Sequence, residues 1–416
     1  MLPDVRAGLT RLEALAYSLS ARYGYRPIEI PIFEQTAVFE RGIGEATDVV
    51  EKELFRIAPR TEESESWSLR PEATAGVVRA YVQHGMQTLP QPVKLSVVGP
   101  MFRYDRPQAG RYRQFYQWSA EVIGDPGPGV DAEVIEMGIR FYREAGVPGV
   151  QVLLNSIGDS VCRPIYLQRL REYFGEHAAS LPELERRRLE VNPLRLLDSK
   201  DPSMTALNAA APRITDCLCE ACAAHFATVR AHLDALEVPY RLEPTLVRGL
   251  DYYARTAFEF YREGAEGQQQ ALGGGGRYDG LVELLGGRST PAIGFALGLD
   301  RVLLALEEAG ADTGKEAPPV AFVVGADPAD TVARLRLASM LRGEGLSVRV
   351  ELTARKLGRQ LESASREHAH FAVIIGDELT DGNVQLKDLE AGTQRLVPLT
   401  ELAADLKRAA KSHHHG

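Results

Sequence analysis

GPMFRYDRPQAGRYRQFYQWSAE, Gly99 to Glu121, is the stretch whose reading decides the fold of this chain. Val93 to Val98 ahead of it is mostly apolar and rich in valine. Tyr112 to Val122 is aromatic-rich and lacks Gly or Pro, so both flanks read as strands, with Arg106 to Gly110 (RPQAG) a turn between them. In an unbroken second strand, Arg113, Gln117 and Glu121 share one face while Tyr116, Trp118 and Val122 take the other, because successive side chains alternate. The first face is mainly polar, with Phe115 the exception; the second is core. Arg103, on the first strand, meets the polar face near its middle if the hairpin is regular, which sets a guanidinium near an amide and, farther along, a carboxylate. Gln117 and Glu121 lie roughly 13 Å apart along the strand, a span suited to an elongated ligand with separated charges, such as an amino acid joined to a nucleotide. A solvated hairpin face has the same periodicity, so both readings stand at this point.

The surrounding composition is that of an ordinary globular protein. At 416 residues, 44% hydrophobic and 25% charged, the chain is long enough for two or three domains with substantial cores. No apolar run approaches the roughly 20 residues of a membrane helix, and MLPDVRAG is not a secretion signal, so a cytoplasmic protein is expected. Four cysteines are far too few for a disulfide scaffold. A net charge of -9 argues against indiscriminate nucleic-acid binding, although a local basic surface can still grip a phosphate backbone. The terminal His413-His414-His415-Gly416 reads as a tag remnant and is left out of the fold.

On the N-terminal side of the hairpin, Leu9 to Tyr23 carries leucines at helical spacing and Gly24 stops it. Tyr25 to Phe33 alternates around Pro27 and Pro31, as at a sheet edge or an interface. Pro71 and Glu72 mark a helix start, with Val77 to His84 helical. Glu72 then either serves the helix dipole or holds an ammonium group. On the C-terminal side, Ala132 to Ala145 reads as an amphipathic helix and Val150 to Leu154 as a strand. From Asp159 to Pro239 helices with polar faces take over, indicating an inserted helical subdomain. Within it, Cys219 and Cys222 have zinc-ligand spacing, and Cys162 with Asp159 would complete a set of four; reduced thiols are the competing reading, since only one CxxC is present.

The sheet resumes with Thr256 to Tyr261. Ala271 to Gly276 (ALGGGG) matches no phosphate-binding loop and fits close backbone approach to a flat ligand better. Pro291 to Leu306 (PAIGFALGLDRVLLAL) reads as entering a buried helix in which Arg301 needs an anionic partner, either a ligand or a structural carboxylate. Gly310 to Pro319 is a linker by composition. Beyond it, three short apolar strands alternate with helical segments in a small α/β domain. There Lys and Arg balance Asp and Glu, so the negative excess lies upstream. Arg355, Lys356 and Arg359 form a small basic patch, or simply a solvated helix face.

These segments together resemble the class II aminoacyl-tRNA synthetases, and within them the histidyl-tRNA synthetase family, over nearly the whole chain. GPMFRYDRPQAGRYRQFYQ looks like motif 2 of the class, PAIGFALGLDRVLLAL looks like motif 3 with its arginine, and Tyr25 to Gly42 occupies the place of the dimer-forming motif 1. LVRGLDYYARTAFEF and LGGGGRYDGL are similar to the two signatures that distinguish the histidine enzymes. The resemblance implies an α+β catalytic domain at 1–309, built on a mixed, mainly antiparallel six-stranded sheet flanked by helices, with the helical insertion at about 159–239. A linker at 310–318 and a C-terminal α/β anticodon-binding domain at 319–411 follow, with 412–416 extraneous.

The same resemblance implies the site. Glu72, Thr74 and Gln117 would hold the ammonium of histidine, Glu121 and Tyr253 would read its imidazole, and Tyr252 and Tyr278 would complete that pocket. Arg103 and Arg301 would hold the ATP phosphates, with Arg111 a further candidate, and Arg248 would sit against the α-phosphate; Arg248, Arg103 and Arg301 are thus the catalytic set. Arg106, Gln108 and Arg113 would face the tRNA acceptor end. The implied reaction activates L-histidine with ATP, aided by Mg²⁺, and transfers it to tRNA(His), in a cytoplasmic homodimer. The residue types suit this chemistry, because an ionised carboxylate attacking the α-phosphorus needs positioning and cations rather than a base. No editing site is expected. The competing reading is a histidine-binding regulatory subunit of histidine biosynthesis that charges no tRNA. The family usually opens with a further stretch bearing Arg-Gly-x-x-Asp, which would lie ahead of Met1; adding it is expected to raise stability or dimerisation.

Overall fold

The computed structural model of the chain describes residues 1–413 except 45, 46, 48, 59, 60, 62–64, 106–109, 198, 200, 247–251, 264–270, 315–317, 326 and 354. Its strands in the first of two compact units, Met1–Lys315, are β1 (Arg26–Pro27), β2 (Phe33–Gln35), β3 (Arg56–Ile57), β4 (Trp67–Leu69), β5 (Val93–Phe102), β6 (Gln114–Ile123), β7 (Val150–Ser156), β8 (Tyr240–Leu242), β9 (Ala254–Arg262), β10 (Ala271–Arg277) and β11 (Ala292–Gly298). The second unit, Glu316–Gly416, contains β12 (Ala321–Gly325), β13 (Val348–Val350), β14 (Phe371–Ile375), β15 (Asn383–Asp388) and β16 (Gln394–Pro398).

β5 and β6 form the expected antiparallel hairpin, in continuous register from Val93 opposite Ile123 to Phe102 opposite Gln114. They lie within an eight-stranded sheet of order β1-β5-β6-β11-β10-β9-β7-β8. The expected six strands are its antiparallel centre; β1 and β8 extend it by pairing parallel to β5 and β7 at the two edges. Only two and three residues long, they are too short to leave a period in the sequence. Two further expectations need correction. Arg103 lies one residue past β5, where its backbone N–H still bonds the Arg113 carbonyl. PAIGFALGLDRVLLAL is a strand followed by a helix, Leu299–Glu308, because its first half alternates: Ile293, Phe295 and Leu297 enter the core while Gly294, Ala296 and Gly298 face the other way.

One face of the sheet carries the main core. Trp118, Ala120 and Val122 of β6 pack there with the helices Pro3–Arg22, Pro128–Ala145, Glu220–Ala235 and Leu299–Glu308. The Trp118 ring meets Phe141 and Phe295 with centroids 5.0 Å away in each case. Its N–H is satisfied by the buried hydroxyls of Ser96 (3.0 Å) and Ser20 (3.2 Å), which fixes the first helix against β5 and β6. His225 and the residues after it belong to this core, since Phe226, Val229 and Leu233 enter it, whereas Tyr166, Leu170, Phe174, Met204 and Ile214 of the insertion form a separate cluster.

Arg277 and Asp131, both 0% exposed at the side chain, tie β10 to the helix Pro128–Ala145 with an Nη2–Oδ1 distance of 2.6 Å. Thr256 Oγ1 (2.6 Å) and His225 Nε2 (2.8 Å) also bond the Asp131 carboxylate, and Arg277 donates to the carbonyls of Asp125 and Gly127. Such a network is held by completeness: removing one partner leaves a charge buried and unpaired. Asp131→Ala is therefore expected to cost about 3–5 kcal/mol in urea unfolding. A loss below about 1 kcal/mol, the worth of an exposed pair, would show that the network is not what anchors β10.

In the second unit the strands run β13-β12-β14-β15-β16, parallel among the first three and antiparallel thereafter. The hairpin β15-β16 was not among the expected strands; each of its strands sends few side chains inward, Val384, Leu386 and Val397, so the apolar signal is sparse. Helices Thr331–Gly343, Leu357–Arg366 and Leu399–His413 accompany the sheet.

Candidate functional site

The face of the large sheet opposite the main core is where β6, β9, β10 and β11 present polar or small residues, and a cavity opens on it. Gln117 of β6, Glu259 of β9, Gly273 and Gly274 of β10, and Gly294, Ala296 and Gly298 of β11 all line it. Glu72, Thr74, Tyr252, Tyr253 and Tyr278 stand around one part of the lining, and Arg103, Arg111 and Arg301 contribute guanidinium groups to it. The strips of glycine and alanine are dictated partly by the sheet itself: a Cβ on Gly275 would fall 1.9 Å from the Gly294 carbonyl oxygen.

At Gly294 the constraint is a functional candidate. Glu121 lies directly opposite it across β6 and β11, and a Cβ there would sit 1.8 Å from Glu121 Oε2. Glu121 is only 1% exposed and is not among the residues facing the cavity. It stands behind the wall, with Oε1 accepting from Thr74 Oγ1 at 2.7 Å and Oε2 accepting from the Tyr278 hydroxyl. The expected open floor from Gln117 to Glu121 is thus corrected: Gln117 faces the cavity, and Glu121 reaches it through two hydroxyl-bearing neighbours. Gln117 Oε1 is itself buried without a hydrogen-bond donor among the described residues, an acceptor left for a ligand. Glu72 serves the helix dipole and also stands at the cavity. Its carboxylate caps the helix Thr74–Gln83, accepting from the N–H groups of Thr74 (2.5 Å) and Ala75 (2.9 Å), and it also lines the cavity. The helix therefore starts at Thr74, after Glu72, rather than at Pro71.

Burial raises both carboxyls above their ordinary range. Glu72 moves up through desolvation, opposed by its backbone hydrogen bonds. Glu121 is pushed up from 4.5 to about 8, mainly by burial, against the lowering effect of the Thr74 and Tyr278 hydroxyls. Folded protein thus keeps a proton on Glu121 that the unfolded chain releases. Its contribution to stability is fully present below 4.5 and is lost as pH rises through about 8. Relative to Glu121→Gln, which cannot titrate, the unfolding free energy of the unaltered protein should decline across that window. Parallel urea-midpoint curves for the two proteins would contradict the assignment.

The arginine end has the opposite electrostatics. Arg301 donates to the carbonyls of Ala271 (2.6 Å) and Gly110 (3.2 Å) and has no ion pair among the described residues. Its pKa is lowered by burial first and then by the charges of Arg111 and Arg103. Arg111 pairs with Asp105 at 2.9 Å, and Arg103 donates to the Pro71 carbonyl and lies over the Phe115 ring. Three guanidinium groups on one cavity, two of them held on backbone carbonyls and one paired with Asp105, make a site for a polyanion. Asp300 does not neutralise Arg301: it accepts the Tyr116 backbone N–H at 2.6 Å, fixing the helix Leu299–Glu308 to β6.

Of the expected site residues, Glu72, Thr74, Arg103, Arg111, Gln117, Tyr252, Tyr253, Tyr278 and Arg301 line one cavity. Arg113 is exposed outside the lining, stacked 4.4 Å from the Tyr104 ring centroid. Arg106, Gln108 and Arg248 lie outside the described residues. Asp159, Cys162, Cys219 and Cys222 come together away from the lining. Sequence reasoning missed Asp131 and Arg277, which anchor the end of β10 immediately before Tyr278. The adjacency of Arg277 to Tyr278 carried no signal of a buried partner 146 positions away.

Residues 1–302 match the family model described as histidyl-tRNA synthetase, and residues 319–409 match the one described as anticodon binding domain. A histidine-tRNA ligase of Desulforudis audaxviator is 44% identical over 99% of this chain and 97% of its own length. One from Rhodococcus erythropolis is 45% identical over 97% of this chain and 92% of its own. Among solved structures, that of apo histidyl-tRNA synthetase from S. aureus is 37% identical, with a TM-score of 0.80 over 98% of this chain and 97% of that one.

Proposed function

This chain belongs to the histidyl-tRNA synthetase family, and from that premise we propose how its residues activate L-histidine with ATP and pass it to the 3′ end of tRNA(His). It is an ATP-dependent, AMP-forming ligase. The observation that carries the mechanism is the convergence of Arg103 and Arg111, from the β5-β6 hairpin, with Arg301, from the helix Leu299–Glu308 far later in the chain, on the cavity that also holds Glu72, Gln117 and the tyrosines.

Histidine binds with its ammonium group toward Glu72, Thr74 and the unpartnered Gln117 Oε1, and its imidazole toward Tyr253, Tyr252 and Tyr278, with Glu121 behind them. Glu121 carries a proton near neutrality and acts on the imidazole through the hydroxyl groups of Thr74 and Tyr278, which line the cavity and are bonded to its carboxyl. The histidine carboxylate, already ionised, attacks the α-phosphorus of ATP. A carboxyl O–P bond forms, the bond to the bridging oxygen breaks, and pyrophosphate leaves with that electron pair. Arg103, Arg301 and Arg111 hold the phosphates, and Arg248, by resemblance, sits against the α-phosphate, so developing charge meets fixed cations. A ribose hydroxyl of the tRNA then attacks the anhydride carbonyl and AMP departs. Arg106, Gln108 and Arg113 attend the acceptor end, and residues 319–411 the anticodon.

Glu53 and Glu259 line the same cavity, a donor set of the kind Mg²⁺ takes beside substrate phosphates. Held there, Mg²⁺ supplies further neutralisation of the polyphosphate. The active species is a cytoplasmic homodimer paired through the segment around Ile32 and Phe33, whose side chains are exposed. No helix among the described residues is long and apolar enough to cross a membrane.

Exchange of labelled pyrophosphate into ATP tests the first half-reaction. It should proceed with histidine and fail with other amino acids, and charging of tRNA(His) should follow. Exchange absent with histidine while ATP still binds would leave the regulatory reading standing.

A further inference from the structure

We propose that Asp159, Cys162, Cys219 and Cys222 form a closed, tetrahedral zinc site that ties the start of the helical insertion to its last helix. One ligand atom from each of the four lies within 4.8 Å of all the others, although the chain separates the two pairs by 60 residues. A tetrahedral zinc thiolate site with bonds of about 2.3 Å needs sulfurs roughly 3.8 Å apart, so a contraction smaller than a rotamer change closes the set.

The local architecture is arranged around these atoms. Gly158 has φ +67°, and a Cβ on it would meet Cys162 Sγ at 2.7 Å, so the loop leaving β7 leaves room for this thiol. Asp159 Oδ1 already accepts from the backbone N–H groups of Val161 (3.0 Å) and Cys162 (3.3 Å), and the Cys219 thiol approaches both carboxylate oxygens at 4.0 Å. Cys162 and Cys219 are the residues immediately before the helices Arg163–Glu176 and Glu220–Ala235, so two positive helix ends favour the thiolate forms a metal requires. Three thiolates and a carboxylate carry four negative charges against the two of zinc; Arg255, 3.5 Å from Asp159 Oδ2, offsets part of the remainder. Cys217 stands apart from the set, accepting from Arg169 Nη1 at 3.2 Å.

Four protein ligands leave no open position, so the metal is structural rather than catalytic. Its consequence for the candidate active site runs through Arg163, next to Cys162, whose guanidinium donates to the carbonyls of Ile157 (3.1 Å), Gly158 (3.3 Å) and Tyr253. Tyr253 lines the cavity.

The test is metal analysis of the full chain, purified without chelator and passed over chelating resin to strip metal from His413 to His415. About one zinc per chain is expected to remain. Cys219→Ser with Cys222→Ser should abolish it, whereas Cys217→Ser should leave it unchanged. Should the double variant be insoluble, X-ray absorption of the zinc in the unaltered chain decides directly. Three sulfurs at about 2.3 Å and one oxygen at about 2.0 Å support the proposal. Loss of all zinc on the resin, a shell of nitrogen and oxygen only, or an intact mass showing a disulfide among the four cysteines overturns it.

Discussion

Arg301→Met should cut histidine-dependent pyrophosphate exchange by roughly 10²–10³-fold, the usual loss when one fixed donor to a developing oxyanion is removed. The same substitution should leave the melting temperature unchanged or higher. Both expectations come from one arrangement: Arg301 is half-buried, bonded only to two carbonyls among the described residues, and destabilised in its charged form by burial and by Arg111 and Arg103 more than Glu259 supports it. Methionine keeps the aliphatic stem against the helix and removes the repelling charge. A structural arginine would behave in the opposite way, with stability falling alongside activity. Arg301→Lys should recover part of the exchange, since it restores charge without the planar fork. Exchange at the unaltered rate in Arg301→Met, with the protein folded, would end the assignment of this side chain to the nucleotide phosphates.

Gly294→Ala should raise KM for histidine by roughly 100-fold, equivalent to about 2.7 kcal/mol, with little change in KM for ATP. The added methyl group would occupy the position of Glu121 Oε2, 1.8 Å away, and would press on the Ala120 carbonyl at 2.6 Å. β6 and β11 are interior strands of the sheet, so the carboxyl must give way before the backbone does. Turning it breaks the bonds from Tyr278 and Thr74, and both of those residues line the cavity. A site built to satisfy a polar ligand discriminates strongly because mispairing leaves its own buried groups unpaired. Gly280→Ala is the control: a Cβ there meets nothing within 4 Å, and histidine KM should hold. Thermal denaturation separates a displaced carboxyl from a collapsed sheet. A normal histidine KM in folded Gly294→Ala would remove Glu121 from recognition.

The sequence by itself determined the hairpin β5-β6, its alternation and its two faces, because a period of two over ten residues is a local property that packing had only to accept. It determined the family too, since the signatures around Arg103, Tyr253, Tyr278 and Arg301 are contiguous runs. Tertiary structure alone decided what those residues do to one another. That Glu121 stands behind Thr74 and Tyr278 depends on a helix start, a strand and a turn meeting at one point. That Asp131 supports Arg277, and that Asp159 and Cys162 reach Cys219 and Cys222, depends on chain segments far apart in order but neighbours across the fold. Burial, which raises the Glu121 pKa and lowers that of Arg301, is likewise a property of the whole assembly of strands and helices, and no window of residues contains it.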